Sequence, residues 1–405
     1  MRLISRLSMR RYIRGFVIIV GISLVVSLLT NLVVNPWRIT PSPLSSEAFD
    51  AYRDLGSQNR TGKCGLIRSA PTIGVALIGS SRVANSLDPK LSAWGRDDVY
   101  NLGANACYIY ESEAFFRYLI EVQDPELVII GIDPGDLSSD FDTRIIFDYQ
   151  GSPLGPEKGK IDREIRYLVG ISTLEASFET IKRRFSDEKP QFDTQGLRRH
   201  RPERRISQRD FLAMAIKGET QFEAPQSAGA VATLREDKRE LLEGIVRTCH
   251  QRGIRLVLLI HPQHALAHTR SGEEPMLPFE SERREVTSLV DRINRENPDA
   301  IPAEVWDFGD YHPINCEPLP TDDGRMERWD DFNHYTLEVG NLILARIMGW
   351  PIELEGGEDY GLRLTPENFD GWVDQSKQGF RRYTDGTGKA DIEWAQSLGN
   401  EEGPD

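Results

Sequence analysis

The longest uninterrupted apolar stretch runs from Gly15 to Val34, G-F-V-I-I-V-G-I-S-L-V-V-S-L-L-T-N-L-V-V, and carries no charge. A helix needs about 20 such residues to cross a bilayer core. Five arginines, at 2, 6, 10, 11 and 14, precede it, and a basic flank of this kind predicts a cytoplasmic N-terminus with the remainder exported. A cleaved signal peptide is the rival reading. The run exceeds the ~7–15 residues of a signal core and no small-x-small cleavage site follows, so an uncleaved anchor is expected. Asn35-Pro36-Trp37 ends the span, with Trp37 suited to the membrane interface.

Beyond residue 70 the pattern changes to short apolar runs alternating with segments of helical spacing. Ile73 to Ile78, Val99 to Leu102, Leu127 to Ile132, Arg255 to Ile260 and Glu304 to Phe308 read as strands. Helices are expected over Ile109 to Val122, Thr233 to Gln251, Glu280 to Asn294 and Leu337 to Met348. Strands that are apolar throughout are buried on both faces, and alternation with helices implies a parallel sheet in an α/β fold. The rhythm breaks between about 134 and 230, an insertion holding one expected helix from Ile161 to Phe185. Five segments follow from this: a basic tail (1–14), a transmembrane anchor (15–34), a Pro- and Gly-containing spacer (35–70), an α/β domain (71–350) and a polar tail (351–405). Thr365-Pro366-Glu367 fits a helix start within that tail, and 399–405 reads as disordered.

Charge narrows the partners. The chain carries a net −14, and with the five leading arginines set aside the remainder holds about −19, which argues against nucleic acid or an anionic lipid surface as a ligand of that body. Against this background L-R-R-H-R-P-E-R-R, 197–205, stands out. It reads as a solvated face, or as a lid or contact site for an anionic polymer. Cys64, Cys107, Cys249 and Cys316 are widely spaced without a metal-ligand pattern, so no zinc site is expected; both disulfides and buried free thiols fit. Asn59-Arg60-Thr61 is formally a glycosylation sequon.

Candidate chemistry lies at both ends of the α/β region. Gly79, Ser80 and Ser81 follow the first strand, and ligands bind beyond the carboxyl ends of such strands. W-D-D-F-N-H-Y-T places Asp331 three residues before His334. A serine hydroxyl becomes a nucleophile when a base takes its proton and a third group holds that base, so Ser81, His334 and Asp331 are the candidate triad. The plainer readings are that the serines cap a helix and that Asp330 or Asp331 caps another.

Glycine, serine and the late D-x-x-H together resemble the SGNH hydrolase superfamily, and more narrowly its membrane-anchored extracytoplasmic bacterial members that handle acyl groups on alginate and teichoic acid. The resemblance spans roughly residues 15 to 350 and includes Y-N-L-G-A-N-A at 100–106, P-E-L-V-I-I-G-I-D at 125–133, L-I-H-P-Q-H-A at 259–265 and V-W-D-F at 305–308. It implies a flavodoxin-like parallel sheet with flanking helices. It also implies an oxyanion hole from the N–H groups of Ser81 and Gly103. Where many relatives have G-x-N, this chain has Gly131-Ile132-Asp133; an ionised Asp133 donates no hydrogen bond, so the hole lacks that donor, Asn105 replaces it, or Asp133 is protonated. Arg82, Asp133, His261 and His264 are the further cleft candidates, with ordinary ion pairing for Arg82 and structural roles for the histidines as alternatives.

Two functions are therefore expected in competition. One is a membrane-anchored serine esterase or O-acyltransferase acting on a cell-envelope or exported polysaccharide, without metal or organic cofactor. The other is a catalytically silent domain that binds glycan or scaffolds envelope biosynthesis proteins. The glycan in both comes from the resemblance alone.

Overall fold

The computed structural model describes residues 2–53, 55–56, 58–156, 159–199, 206–221, 233–269, 276–321 and 324–399. In chain order its elements are α1 (Arg2–Val34), α2 (Asn59–Ser69), β1 (Val75–Ile78), α3 (Ser81–Ser86), β2 (Val99–Asn101), α4 (Ile109–Val122), β3 (Leu127–Ile132), α5 (Phe147–Gly151), α6 (Lys160–Val169) and α7 (Ile171–Arg184). They continue as α8 (Gln208–Gln221), α9 (Glu236–Arg252), β4 (Arg255–Ile260), α10 (Leu266–Thr269), α11 (Met276–Glu296), β5 (Glu304–Asp307), α12 (Leu337–Met348), β6 (Leu362–Leu364), α13 (Phe369–Asp385) and α14 (Lys389–Gly399). The chain divides into two compact units: 1–71 with 145–194, and 72–144 with 195–405.

The second unit holds a six-stranded sheet in the order β2-β1-β3-β4-β5-β6. The first five strands pair in parallel. Every residue of β1 and β3 is buried, as the unbroken apolar runs require of strands covered on both faces. Strand order reverses between β1 and β3, and at such a switch point the loops leaving the two strands diverge and open a crevice. Gly79 makes the turn out of β1 at φ +148°, and a Cβ there would lie 2.7 Å from Val83 Cγ2. Only glycine takes that conformation without strain.

Two differences from the sequence reading concern residues 351–399. Instead of a polar tail they carry β6, which pairs antiparallel with β5, followed by α13 and α14. Three residues, L-R-L, are too short to show a strand period. Helix α13 is polar overall yet buries Phe369, Trp372, Val373, Ser376, Gly379 and Tyr383, one face at helical spacing. Residues 400–405, most of the segment read as disordered, lie outside the described residues.

The first unit gathers the N-terminal segment and part of the insertion. The Pro and Gly residues of 35–70 predict a mostly irregular spacer, but the segment holds α2, buried along most of its length because Gly65 lets the Trp37 carbonyl pass where a Cβ would sit 1.6 Å away. Trp37 is buried rather than turned to a membrane, its ring edge-on to Tyr167 at 6.1 Å. Arg60 pairs with Asp148 at 3.3 Å. Asn59 is buried and donates to the Leu55 carbonyl, so the sequon is not presented to solvent. The expected single helix 161–185 is two, divided at Gly170, whose extended backbone caps α6. Helix α1 contains a 26-residue stretch, Met9–Val34, long and apolar enough to cross a membrane. None of the four cysteines is in a disulfide.

Candidate active site

Ser81 opens α3 directly beyond the turn at Gly79, and its neighbour Ser80 is the cap: Ser80 Oγ accepts the Arg82 N–H at 3.3 Å. The two serines thereby separate by role. Ser80 Oγ also donates to Asp133 Oδ1 at 2.8 Å, whereas Ser81 Oγ lies 2.8 Å from His334 Nε2. On the far side of the ring, His334 Nδ1 lies 2.9 Å from Asp331 Oδ1 and 3.0 Å from Oδ2. Asp331 is itself fixed by the N–H groups of Asn333 and His334, both 2.9 Å from Oδ1. Burial pushes its carboxyl up, but the His334 hydrogen bond and charge, with those two N–H groups, prevail and hold it well below the usual range.

With Nδ1–H donating to Asp331, Nε2 presents a lone pair to the serine hydroxyl. Proton transfer from Ser81 to His334 then needs no rearrangement. Asp330 stands outside this relay, its N–H donating to the His334 carbonyl at 2.8 Å. That bond closes a short antiparallel turn, with Trp329 bridging Tyr335.

Packing holds the two halves of the relay together across the 253 residues that separate them. Ser86 Oγ donates to the Tyr335 carbonyl at 2.7 Å. Gly340 on α12 sits so close to α3 that a Cβ would fall 1.7 Å from the Ser86 carbonyl oxygen. From the other side, buried Asn101 at the end of β2 donates to the carbonyls of Val83 and Leu87 at 2.6 and 2.9 Å. The insertion contributes as well. Gln208, at the start of α8, donates to the Trp329 carbonyl and accepts from Met326 N, both at 2.7 Å. Gln208 lies in no motif, and Asn101, though within Y-N-L-G-A-N-A, has a bracing role that the sequence does not report.

Several other sequence candidates fall elsewhere. Arg82 is buried and fully engaged: Nη1 pairs with Asp133 Oδ2 at 2.6 Å, Nε donates to the Asn333 carbonyl at 2.7 Å and Nη2 to Asn333 Oδ1 at 3.1 Å. It clamps the residue before His334 instead of facing a ligand. Asp133 is accordingly a salt-bridged acceptor. Gly103 N–H, expected in the oxyanion hole, donates to Asn101 Oδ1 at 3.0 Å; the glycine is needed because a Cβ there would lie 2.4 Å from Ala84 N. Ser81 N–H, in the first turn of α3, has no intrahelical acceptor, and Asn105 is exposed on the loop after β2.

Neither histidine after β4 lines an open cleft. His261 is wholly buried, its Nδ1 2.9 Å from the Tyr335 hydroxyl, and burial lowers its pKa to about 3. Its ring lies over Gly131, where a Cβ would meet Nε2 at 2.1 Å. His264 is equally buried, 2.7 Å from the Glu317 carbonyl through Nε2 and accepting the Leu266 N–H through Nδ1, with its pKa lowered by burial to about 4. In the basic stretch, Arg199 pairs with Asp88 at 3.0 Å; residues 200–205 lie outside the described residues.

No family model and no curated protein matches this chain. Among solved structures, the crystal structure of a putative acylhydrolase from Bacteroides fragilis matches over 73% of this chain and 96% of its own, with 11% identity and a TM-score of 0.32. At that distance no residue role passes from one chain to the other, and the chemistry rests on this chain's own geometry.

Proposed function

We propose that the protein is a serine-dependent acyl esterase or O-acyltransferase of SGNH type, with Ser81 as nucleophile, His334 as general base and acid, and Asp331 as the group that orients the imidazole. The observation that carries this reading is the continuous relay from Ser81 Oγ to His334 Nε2 at 2.8 Å and from His334 Nδ1 to Asp331 at 2.9 Å. Ser81 Oγ attacks the ester carbonyl as its proton passes to His334 Nε2. Collapse of the tetrahedral species expels the alkoxide, which takes that proton, and leaves an acyl-serine. Water or a sugar hydroxyl then attacks the acyl-serine with His334 again as base. Oxyanion stabilisation is assigned to the Ser81 N–H and to Asn105, each such donor being worth roughly 3–4 kcal/mol in enzymes where it has been removed.

The same reading places α1 across the inner membrane with its basic end in the cytoplasm and the main body outside. The acyl group then belongs to an envelope or exported polysaccharide, a class that follows from the sequence resemblance. A silent glycan-binding or scaffold domain, working beside envelope biosynthesis proteins, is the second reading. It is favoured by one observation, the Gly103 N–H being taken by Asn101 Oδ1. The test is labelling with a fluorophosphonate serine probe and mass-spectrometric site mapping, in wild type, Ser81→Ala and His334→Ala. Labelling at Ser81 that both substitutions abolish supports the enzyme. Folded wild-type protein that stays unlabelled beside a reactive control esterase supports the silent domain.

A further inference from the structure

In the first unit the polarity of α7 is inverted relative to a helix that faces water. Its buried side is Thr173, Ala176, Ser177 and Thr180, while Ile171, Phe178 and Phe185 are 77%, 57% and 79% exposed. Those three lie seven residues apart, with Leu174 and Ile181 half-buried between them, so they form one apolar stripe along the helix. Helix α6 shows the same inversion: Arg163 and Tyr167 are buried, and Ile161 and Ile165 are exposed. Small residues facing inward and large apolar residues outward is the arrangement of helices that pack in lipid, where close approach of backbones and interhelical hydrogen bonds hold neighbours together.

What these helices pack on identifies the occupant. On α1, the side chains from Met9 to Val26 are almost all exposed, whereas Ser27, Asn31 and Val34, one face of the last two turns, are buried. Asn31 Nδ2 donates to the Leu168 carbonyl of α6 at 2.9 Å, and Ser177 Oγ of α7 donates to Asn31 Oδ1 at 2.9 Å. Ser177 lies midway along α7, so the stripe flanks α1 at Asn31, just past the end of its exposed apolar length at Val26. At 1.5 Å per residue the exposed stretch of α1 is roughly 27 Å long, close to the ~30 Å hydrocarbon core. Lys182, Arg183 and Arg184 close the far end of α7, and Arg184 lies over the rings of Tyr52 and Phe185, which suits cations at phosphate depth.

We infer that the apolar stripe of α7, with Ile161 and Ile165 of α6, is a lipid-contact surface seated in the headgroup and upper acyl layer of the bilayer that α1 crosses. The inference rests on α1 being that crossing. The first unit is then a membrane-embedded collar around the end of the anchor, not a tether.

The test uses the full chain in nanodiscs of phosphatidylethanolamine and phosphatidylglycerol doped with a diazirine-bearing phospholipid, with adducts mapped by mass spectrometry after irradiation. Expected are adducts on Met9 to Val26 and, within a few-fold of that yield, on 171–185. In the triple substitution Ile171→Ser, Phe178→Ser, Phe185→Ser, the yield on 171–185 falls about tenfold while α1 remains labelled. Labelling of α1 without α6 or α7 overturns the collar and leaves the anchor standing. Absence of adducts from α1 overturns both. Cross-links from 171–185 to a second protein chain, in place of lipid, assign the stripe to a protein partner and overturn the inference.

Discussion

Replacing Asp331 by asparagine tests the relay at the atom on which it turns. Oδ1 of Asp331 accepts two backbone N–H groups, from Asn333 and His334, each at 2.9 Å, so an asparagine keeps its carbonyl oxygen there. Its amide nitrogen then occupies the place of Oδ2, 3.0 Å from His334 Nδ1. An amide nitrogen only donates, so it favours Nδ1 as an acceptor with the imidazole proton on Nε2, in competition with the carbonyl oxygen kept at Oδ1, itself 2.9 Å from Nδ1. Nε2 is 2.8 Å from Ser81 Oγ, and once protonated it cannot take the serine proton. In a serine protease triad the same tautomer reversal lowers kcat about 10⁴-fold, which corresponds to about 5 kcal/mol of activation free energy. The local hydrogen bonds are kept in number, so unfolding should shift by no more than the ~1.5–3 kcal/mol of one charge-assisted bond. The assay is the second-order rate constant for fluorophosphonate labelling at Ser81, with a thermal melt on the same sample. A D331N protein that melts near wild type and labels within tenfold of its rate would falsify the assignment of Asp331, and a loss of folding would be visible in the melt.

The clamp on the histidine turn is expected to behave as a unit. Arg82→Ala strands the buried Asp133 carboxylate and should cost about 3–5 kcal/mol, whereas Arg82→Met combined with Asp133→Leu should recover much of that in a denaturant titration; equal losses in both proteins would contradict the pairing. Gly340→Ala places a methyl against the Ser86 carbonyl and should cost about 1–3 kcal/mol while slowing Ser81 labelling, since it drives α12 from α3; unchanged melting and labelling would show that the helices separate freely. His264 is neutral in the fold, its pKa lowered by burial to about 4, against an ordinary value near 6.5 in the unfolded chain. A histidine of depressed pKa binds its proton only on unfolding, so stability should rise with pH from about 4 to 6.5, by up to ~1.4 kcal/mol per pH unit for this ring. His264→Gln should flatten that slope, and a slope unchanged by the substitution would place the titration elsewhere.

The strands that position the site were readable because each is a short, mainly apolar run: Leu127–Ile132 and Arg255–Ile260 have the limits expected from the sequence, as does helix α12. The serine turn and the D-x-x-H turn were readable for a related reason, each being local and complete within a few residues. What escaped depends on partners far along the chain. Whether Gly103 N–H points at a substrate or at Asn101 Oδ1 is decided by how β2 meets α3, and nothing within the G-A-N sequence reports it. For Arg82 the sequence leaves anion binding and ordinary ion pairing both open, and only the fold, through Asp133 and through Asn333 251 residues along, decides for pairing. Helix α2 escaped because it is buried on all sides from Asn59 to Ile67, with Arg60, Thr61 and Lys63 among the buried residues, so no hydrophobic stripe at helical spacing marks it.

Because the first unit is assembled from two separated stretches of chain, its completion has a schedule. Asn31 and Ser177 are 146 residues apart, and at roughly 5–20 residues per second the ribosome needs about 7–30 s to travel between them. During that interval the first three strands of the sheet, all within residues 75–132, are already made. The polar face of α1 therefore emerges long before the helices that will cover it, and any factor that escorts the nascent chain has that interval in which to act.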